Sequence, residues 1–307
     1  MKNATLRQLR VFESAARHLS LTRAAEELHL SPPAVSIQVR QLEGHAGARL
    51  FERVGRRLKL TQAGEVALAR SREILGLVHE AEEAIAGLGS VERGLLDVGV
   101  INAGDYFFPW LVAAFRKQNA HIRVRISVGN RDDLLARLAA HEVDLAVMSQ
   151  PPAQPAFAAA PFAPHPHVIV AAPAHPLASR RSVPLAAVAR EPLITRESGS
   201  ATHLAMQQAF AEAGIVPRID MEIGSNETIK QAVAAGFGLG FLSGHAVRHE
   251  VALGRLAIVR VKGFPIMRQW FVVHRRDRRL PRVADAFERF LLVEGARLIR
   301  RHEKGAP

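Results

Sequence analysis

The chain has 307 residues, 48% of them hydrophobic, with 41 Lys/Arg against 29 Asp/Glu and a formal net charge of +12. That length supports two or three domains with real cores, and the basic excess points to an acidic partner: nucleic acid, an anionic membrane or an anionic ligand. The absence of cysteine excludes disulfides, thiolate zinc sites, iron–sulfur clusters and cysteine nucleophiles, while Met1–Arg10 lacks the apolar core of a signal peptide and no charge-free apolar run reaches the roughly 18 residues of a membrane span. A cytoplasmic protein with no membrane partner is expected.

The charge is uneven. Residues 1–62 hold 11 Lys/Arg against 5 Asp/Glu. There Leu6, Leu9, Val11, Phe12 and Ala16 recur at helical spacing behind Thr5, a capping residue. A short helix from about Leu21 to Leu28 follows, with Thr22 near its start and Ala24 and Ala25 small enough for close packing. Ser31 then caps a third helix whose first position is Pro32. Val35, Val39 and Leu42 form its buried stripe, and Ser36, Gln38, Arg40 and Gln41 stay on other faces. The next segment, RLFERVGRRLKLT, reads as a hairpin around Gly55, crowded with Arg53, Arg56, Arg57 and Lys59. Helix, helix, polar helix and basic wing in this order suit a winged helix-turn-helix, whose polar helix enters the major groove while the wing grips phosphates.

The run LTRAAEELHLSPPAVSIQVRQLEGHAGARLFER resembles the winged helix-turn-helix signature of the LysR-type regulators. The family pattern reads Gln-Pro after the capping residue where this chain has Pro32-Pro33, so the base contact of that glutamine is missing or replaced. By resemblance Ser31, Pro33, Ser36 and Gln38 face base edges and Arg40 and Arg53 bind the backbone. Arg57 joins them from the basic wing.

Thr61 opens a proline-free helical stretch, Gln62 to Leu88. Ile74, Leu77, Ala81, Ala84 and Leu88 make one apolar seam along it. The resemblance implies that the seam pairs with a second subunit.

From Gly94 strands alternate with amphipathic helices, which argues an α/β architecture with mostly parallel sheets. The strands read as LLDVGVI, IRVRISV, DLAVMSQ, HVIVAAP, PLITRE, RIDMEIG, LGFLSG and MRQWFVVHR. The Pro/Ala-rich stretch after residue 149 reads as a crossover between two lobes, and the helices from Val283 to Arg301 return to the first. The resemblance implies two Rossmann-like lobes of periplasmic-binding-protein-like fold. The expected division is 1–60 for DNA binding, 61–90 for the linker and dimerisation helix, and 91–307 for the effector domain. Lobe one comprises 91–162 and 267–307, and lobe two 163–266.

Four strand ends run into helix starts: Asn102-Ala103-Gly104, Gly129-Asn130-Arg131, Ser198-Gly199-Ser200-Ala201-Thr202 and Ser225-Asn226-Glu227-Thr228. Free amides and the helix dipole favour anions there. The expected effector contacts are Asn102, Ala103, Gly104, Asn130, Met148, Ser200, Thr202, Asn226 and Thr228, with Arg131, Arg196 and Lys230 near enough in sequence to add charge. Gly236, Gly238 and Gly240 precede a strand and so make no dinucleotide fingerprint. His245 and His249 lack a third metal ligand and read as surface residues, and Ser198 and Ser200 carry no nucleophile motif. Neither catalytic residues, metal nor cofactor is expected. A solute-binding protein would account for the cleft alone, and an enzyme would need a catalytic constellation.

Within the family, stretches such as GNRDDLLARLAAHEVDLAVMSQPP and SNETIKQAVAAGFGLGFLS are closer to regulators of carbon dioxide fixation operons. The resemblance there implies phosphorylated metabolites or reduced nicotinamide nucleotides as effectors. The loop Asn102-Ala103-Gly104-Asp105 departs from the Thr-Ala-Lys usual in that group, which argues against a highly phosphorylated one. The expected partners are double-stranded DNA carrying an imperfect inverted repeat, a small anionic effector, a second copy in a homodimer or homotetramer, and RNA polymerase.

Overall fold

The computed structural model describes residues 3–54, 57–86, 94–277 and 279–303, which fall in two compact units. The first contains α1 (Leu6–His18), α2 (Leu21–Glu27), α3 (Pro32–Ala46), the hairpin β1 (Phe51–Val54) and β2 (Arg57–Leu60), and α4 (Gln62–Ala86). A capping box starts α1: the Thr5 hydroxyl accepts the Gln8 N–H at 3.2 Å, and the Gln8 amide oxygen accepts the Thr5 N–H at 2.9 Å. One face of α1, with Leu9, Phe12 and Ala16, packs on Leu42 and Leu50. The next face, Val11 and Ala15, meets Ala24 and Ala25 of α2 and Val35 and Val39 of α3. The cap of α2 is Ser20, whose hydroxyl accepts the Arg23 N–H at 3.3 Å.

Glu27 pins the end of α2 to α1. Its carboxylate accepts hydrogen bonds from Ser14 Oγ at 2.8 Å and from Arg17 at 2.6 and 2.9 Å, and stands 2.7 Å from His18 Nε2. Burial opposes its ionisation, yet the bonds from Arg17, Ser14 and His18 outweigh that and hold its pKa down at about 2. Glu43 of α3 fixes the wing in the same manner, accepting the N–H groups of Leu50 and Phe51 at 2.8 and 3.3 Å. At the start of α4, Thr61 donates to Arg49 O at 2.7 Å and accepts the Gly64 N–H at 3.0 Å. The approach there is so close that a Cβ on Gly64 would sit 2.0 Å from Leu50 O. Further along α4, Val66, Ile74 and Leu77 are 61%, 37% and 63% exposed, so this apolar face has no cover within its own unit. Of the rest of the expected seam, Ala81 is exposed, and the side chain of Ala84 and all of Leu88 lie outside the described residues.

The second unit begins with β3 (Gly94–Ile101), a 3-10 turn (Asn102–Gly104), α5 (Phe108–Gln118), β4 (Ile122–Gly129), α6 (Arg131–Ala139) and β5 (Leu145–Met148). It continues through β6 (Phe157–Ala171), α7 (Leu185–Val188), β7 (Leu193–Arg196), α8 (Ala201–Glu212), β8 (Ile219–Ile223) and α9 (Asn226–Ala234). It closes with β9 (Leu239–Ser243), α10 (Gly244–Ala252), β10 (Ala257–Ile258), β11 (Ile266–Arg275), α11 (Arg282–Phe290), a π turn (Leu291–Gly295) and α12 (Ala296–Glu303).

The strands form one hydrogen-bonded path, β4-β3-β5-β11-β6-β9-β7-β8, with β10 beside β6. Each end is parallel, as the alternation of strands and helices predicts. The middle is antiparallel: β11 pairs with β5 and β6, and β6 with β9. The segment read from sequence as a proline-rich crossover is therefore mostly strand. Pro161, Pro164 and Pro166 are tolerated because β6 meets β9 only from His167 on. Before that point its second edge needs no N–H donors. The lobe-one core gathers Val98, Val100, Leu111, Phe115, Val147 and Phe287, so the C-terminal helices pack on the first lobe. In lobe two, Met206 and Phe210 of α8 cover one face and Ile229 and Val233 of α9 the other.

Where β6 and β11 pass between the lobes, a ring stack is buried. His165 lies on Trp270 with centroids 4.1 Å apart and His167 lies 4.2 Å from His165, all three fully buried. Burial lowers both imidazoles, His165 well below the ordinary histidine range and His167 to about 3. His245, read as a surface residue, is also buried, with Nδ1 2.6 Å from Glu303, whereas His249 is exposed.

Because the Glu27 pKa is depressed, its contribution is complete above the ordinary value of 4.5 and is lost as pH falls toward about 2. Glu27→Gln is expected to lower stability at pH 7 by roughly 1 kcal/mol, a figure reduced for its exposed side. Thermal melts of both proteins between pH 7 and pH 3 should show the gap narrowing in acid; a gap independent of pH would remove Glu27 from this role.

Candidate functional site

In the first unit, α3 turns one face outward. Ser31, Pro33, Ile37, Arg40 and Gln41 are exposed along it, with Ser36 and Gln38 half-buried at its margins. The Ser31 hydroxyl accepts the Ala34 N–H at 3.4 Å, which leaves the two prolines standing at the open end of the helix. Ile37 is 52% exposed. Sequence reasoning passed over it, although its spacing of four from Pro33 and three from Arg40 was the available signal. Arg53 and Arg57 are exposed on the wing, where Val54 pairs with Arg57 and Arg53 with Leu58. Polar, cationic and apolar groups thus share a surface that can meet phosphates, base edges and thymine methyls.

In the second unit, the two lobes meet at Arg196. This residue ends β7, is 2% exposed, and spreads its guanidinium over both lobes. Nη1 donates to Asn226 Oδ1 at 2.9 Å, and Nε and Nη2 donate to Glu197 at 2.7 and 2.8 Å. With the Asn102 amide oriented to satisfy both its ends, its oxygen accepts from Arg196 Nη2 at 3.1 Å and its nitrogen donates to Gly129 O at 2.8 Å. Asn226 Nδ2 in turn donates to Asn102 O at 3.3 Å across the lobes. Asp105 follows on the same turn; desolvation pushes its carboxyl up to about 6, with Arg196 pulling the other way. Nearby, Tyr106 donates to Glu227 at 2.7 Å and lies under Lys230, 4.8 Å from Nζ to ring centroid. Lys230 is held by Glu227 and Glu250, each at 2.7 Å.

A cavity of about 390 Å³ opens between β5, α8 and β11, lined by Ser149, Gln150, Ala201, Gln208, Met267 and Arg268 among others. Its size suits a small molecule. Asn102 and Asn226 converge on Arg196, whereas the cation that lines this cavity is Arg268. Ser200 and Thr202 are buried at the start of α8, next to cavity-lining Ala201. Ala103 and Gly104 are buried in the turn that carries Asn102. Met148 departs from expectation: it is fully buried in the lobe-one core, and Ser149 and Gln150 line the cavity in its place. Thr228 is exposed.

The helix-start amides are largely spent on their own caps. Ser200 Oγ accepts from Thr202 and His203, Ser225 Oγ from Thr228, and Asn130 Oδ1 from Asp133 at 2.9 Å. The other cations near the helix starts are engaged too: Arg131 with Gln150 O at 3.2 Å and Asp132 at 3.1 Å, and Lys230 as described. Gly199, with φ of +84°, lets the turn between β7 and α8 pass close to lobe one, where a Cβ would stand 3.0 Å from Asp132 Oδ2. Among the described residues no group of three His, Asp or Glu could hold a metal ion, and no helix is long and apolar enough to cross a membrane.

Comparison with known proteins agrees with this geometry. The sequence model of the bacterial regulatory helix-turn-helix protein, lysR family, matches residues 6–65, and that of the LysR substrate binding domain matches residues 89–295. The chain is 45% identical over 296 residues to the RuBisCO operon transcriptional regulator of Allochromatium vinosum, covering 96% of this chain and 98% of that protein. It is 46% identical over 296 residues to the HTH-type transcriptional regulator CbbR of Xanthobacter flavus, covering 95% and 88%. Among solved structures, the Synechocystis CcmR regulatory domain in complex with 2-PG is 36% identical, with a TM-score of 0.62 over 65% of this chain and 96% of that one. Full-length OxyR from Pseudomonas aeruginosa, 25% identical, gives a TM-score of 0.73 over 94% and 95%. These relatives are transcription regulators rather than enzymes. An exposed polar helix and basic wing in one unit, a two-lobed α/β fold in the other, and 45% identity over nearly the whole length of such a regulator lead to one conclusion: the chain belongs to the LysR family of DNA-binding transcription regulators.

Proposed function

We propose that this regulator reads an imperfect inverted repeat as a homodimer or homotetramer, and that a small anionic metabolite held between the lobes of residues 91–307 sets its activity. One observation carries the effector reading: the buried Arg196 guanidinium, which reaches both lobes through Asn226 and Asn102. An anion there replaces a carboxylate or amide partner of Arg196 with one of its own and so favours a particular lobe arrangement, which is all a ligand can do to shift an equilibrium. The complex of the CcmR regulatory domain with 2-PG supports an effector of that size and charge. The name of one relative supports a carboxylase operon as the target; RNA polymerase as the partner at the promoter and the cytoplasm as the place of action complete this reading. Residues 1–60 bind DNA in this scheme and residues 61–90 form the dimerisation helix.

Ser31, Pro33, Ser36 and Gln38 read bases, with Ile37 against a thymine methyl, while Arg40, Arg53 and Arg57 hold phosphates. Gln38→Ala should cost roughly 1–3 kcal/mol at one base pair and little elsewhere. Arg53→Ala should weaken all sites alike and flatten the dependence on salt. Gel-shift titrations on wild-type and scrambled operators at several salt concentrations separate the two patterns; equal losses on both DNAs for Gln38→Ala would end its assignment as a reader.

The exposed face of α4 supports pairing with a second copy. Placing Asp at both Ile74 and Leu77 would bury unpartnered charge in that seam, which is strongly unfavourable. Light scattering should then report smaller particles, and an unchanged mass would remove the seam.

Asp105 places a like charge beside the bound anion. Asp105→Asn should bind 2-PG about three- to tenfold more tightly at pH 7.5, corresponding to roughly 1 kcal/mol. As pH falls through about 6 the wild-type carboxyl takes up a proton, so calorimetry should find the two affinities converging by pH 5. Thr202→Val should keep the fold and DNA binding but weaken 2-PG. Wild-type affinity in both variants would count against the cleft.

A further inference from the structure

Lobe two carries a second cavity that neither DNA reading nor the cleft accounts for. It measures about 380 Å³ and lies beside β6 and β10. Val168, Val259 and Phe264 contribute apolar wall, and Arg181, Arg260 and Lys262 contribute three exposed cations. The backbone holds these cations together: the Val183 N–H donates to Arg260 O and the Lys262 N–H donates to Val183 O, both at 2.9 Å, around a Val183–Val261 bridge. The two lining segments are devoid of counter-charge. Residues 176–190 hold three Lys/Arg and residues 251–276 hold six, with no Asp or Glu in either. Among the described residues none of the three cations is held in an ion pair.

Like charges fixed around a concavity repel one another and focus a positive potential into it. A planar guanidinium fork matches phosphate oxygens two at a time, and the ammonium adds a mobile third contact. The volume falls within the range of small-molecule sites, roughly 300–1,000 Å³, and the cations ring a pocket with an apolar wall, whereas a nucleic-acid surface presents them along a ridge or stripe. We propose that this cavity is a second ligand site, for a small phosphorylated anion of at least two negative charges, held by Arg181, Arg260 and Lys262.

Full-length protein titrated with sodium pyrophosphate in a calorimeter, with ionic strength held constant by sodium chloride, tests this. The double variant Arg260→Gln, Lys262→Gln changes only exposed side chains and should fold as wild type by circular dichroism. It should bind one pyrophosphate fewer per chain, or bind it at least tenfold more weakly, and Arg181→Gln alone should show a smaller loss in the same direction. Thr202→Val should leave this binding intact, so a failure of the cleft reading and a failure of this one remain distinguishable. Wild-type stoichiometry and affinity in the double variant would overturn the proposal. So would a rise in melting temperature of the wild type that sodium chloride reproduces at equal ionic strength.

Discussion

The pairing of β6 with β11 is the constraint on which the effector unit rests. Both strands run through the two lobes, one ladder extending from Phe157 opposite Arg275 to His167 opposite Ile266. Each lobe hangs its parallel strands on one side of this pair: β5, β3 and β4 on the first, β9, β7 and β8 on the second. Two ladder strands shared by two cores join the lobes through one register, shifted once between Trp270 and Phe271. This pairing also places the C-terminal edges of β3 and β7 face to face, which is where Asn102 and Arg196 meet. The cleft is thus a product of topology, and the side chains only decide what it accepts.

What we propose that it accepts turns on a single guanidinium. Arg196 is almost wholly removed from water, and a buried cation without partners is unfavourable by far more than any single hydrogen bond is worth. Glu197, Asn226 and Asn102 meet that demand from both lobes. In the proposed role a ligand anion finds no vacant charge and has to compete with contacts that already join the lobes. In that proposed role binding and lobe geometry are coupled, and Asp105, which feels the charge of Arg196, would be a like-charged neighbour that penalises heavily charged ligands.

The legibility of the sequence followed the range of the interactions concerned. Ser31, Pro32 and the stripe Val35, Val39 and Leu42 announce α3 because capping and amphipathic spacing are local. Eight of the nine strands of the second unit could be read for the same reason, the two-residue β10 and the proline-rich first part of β6 being missed. The antiparallel middle could not, since Pro161, Pro164 and Pro166 look like breakers until β9 is seen to join only from His167. Arg196 looked like any arginine at a strand end; its burial and its bridge to Asn226 come from residues thirty positions apart in one direction and nearly a hundred in the other. Met148 reads as a cleft residue by position, but the pleat sends it inward and presents Ser149 instead. Helix-start amides were visible as donors, and invisible as donors already satisfied by Ser200, Ser225 and Asn130.

The imidazoles stacked between the lobes have a consequence of their own. His165 and His167 are folded in neutral form, and the unfolded chain binds protons that the folded one refuses. Their depressed values mean full stability above about 6.5, eroding as pH falls toward 3, whereas Glu27 begins to yield only below about 4.5. Of these groups, acidification thus acts first on the histidines of the strand that joins the two lobes and only later on the carboxylate that ties α2 to α1. Of the two halves of this regulator, the half that senses is the one tied to a near-neutral interior.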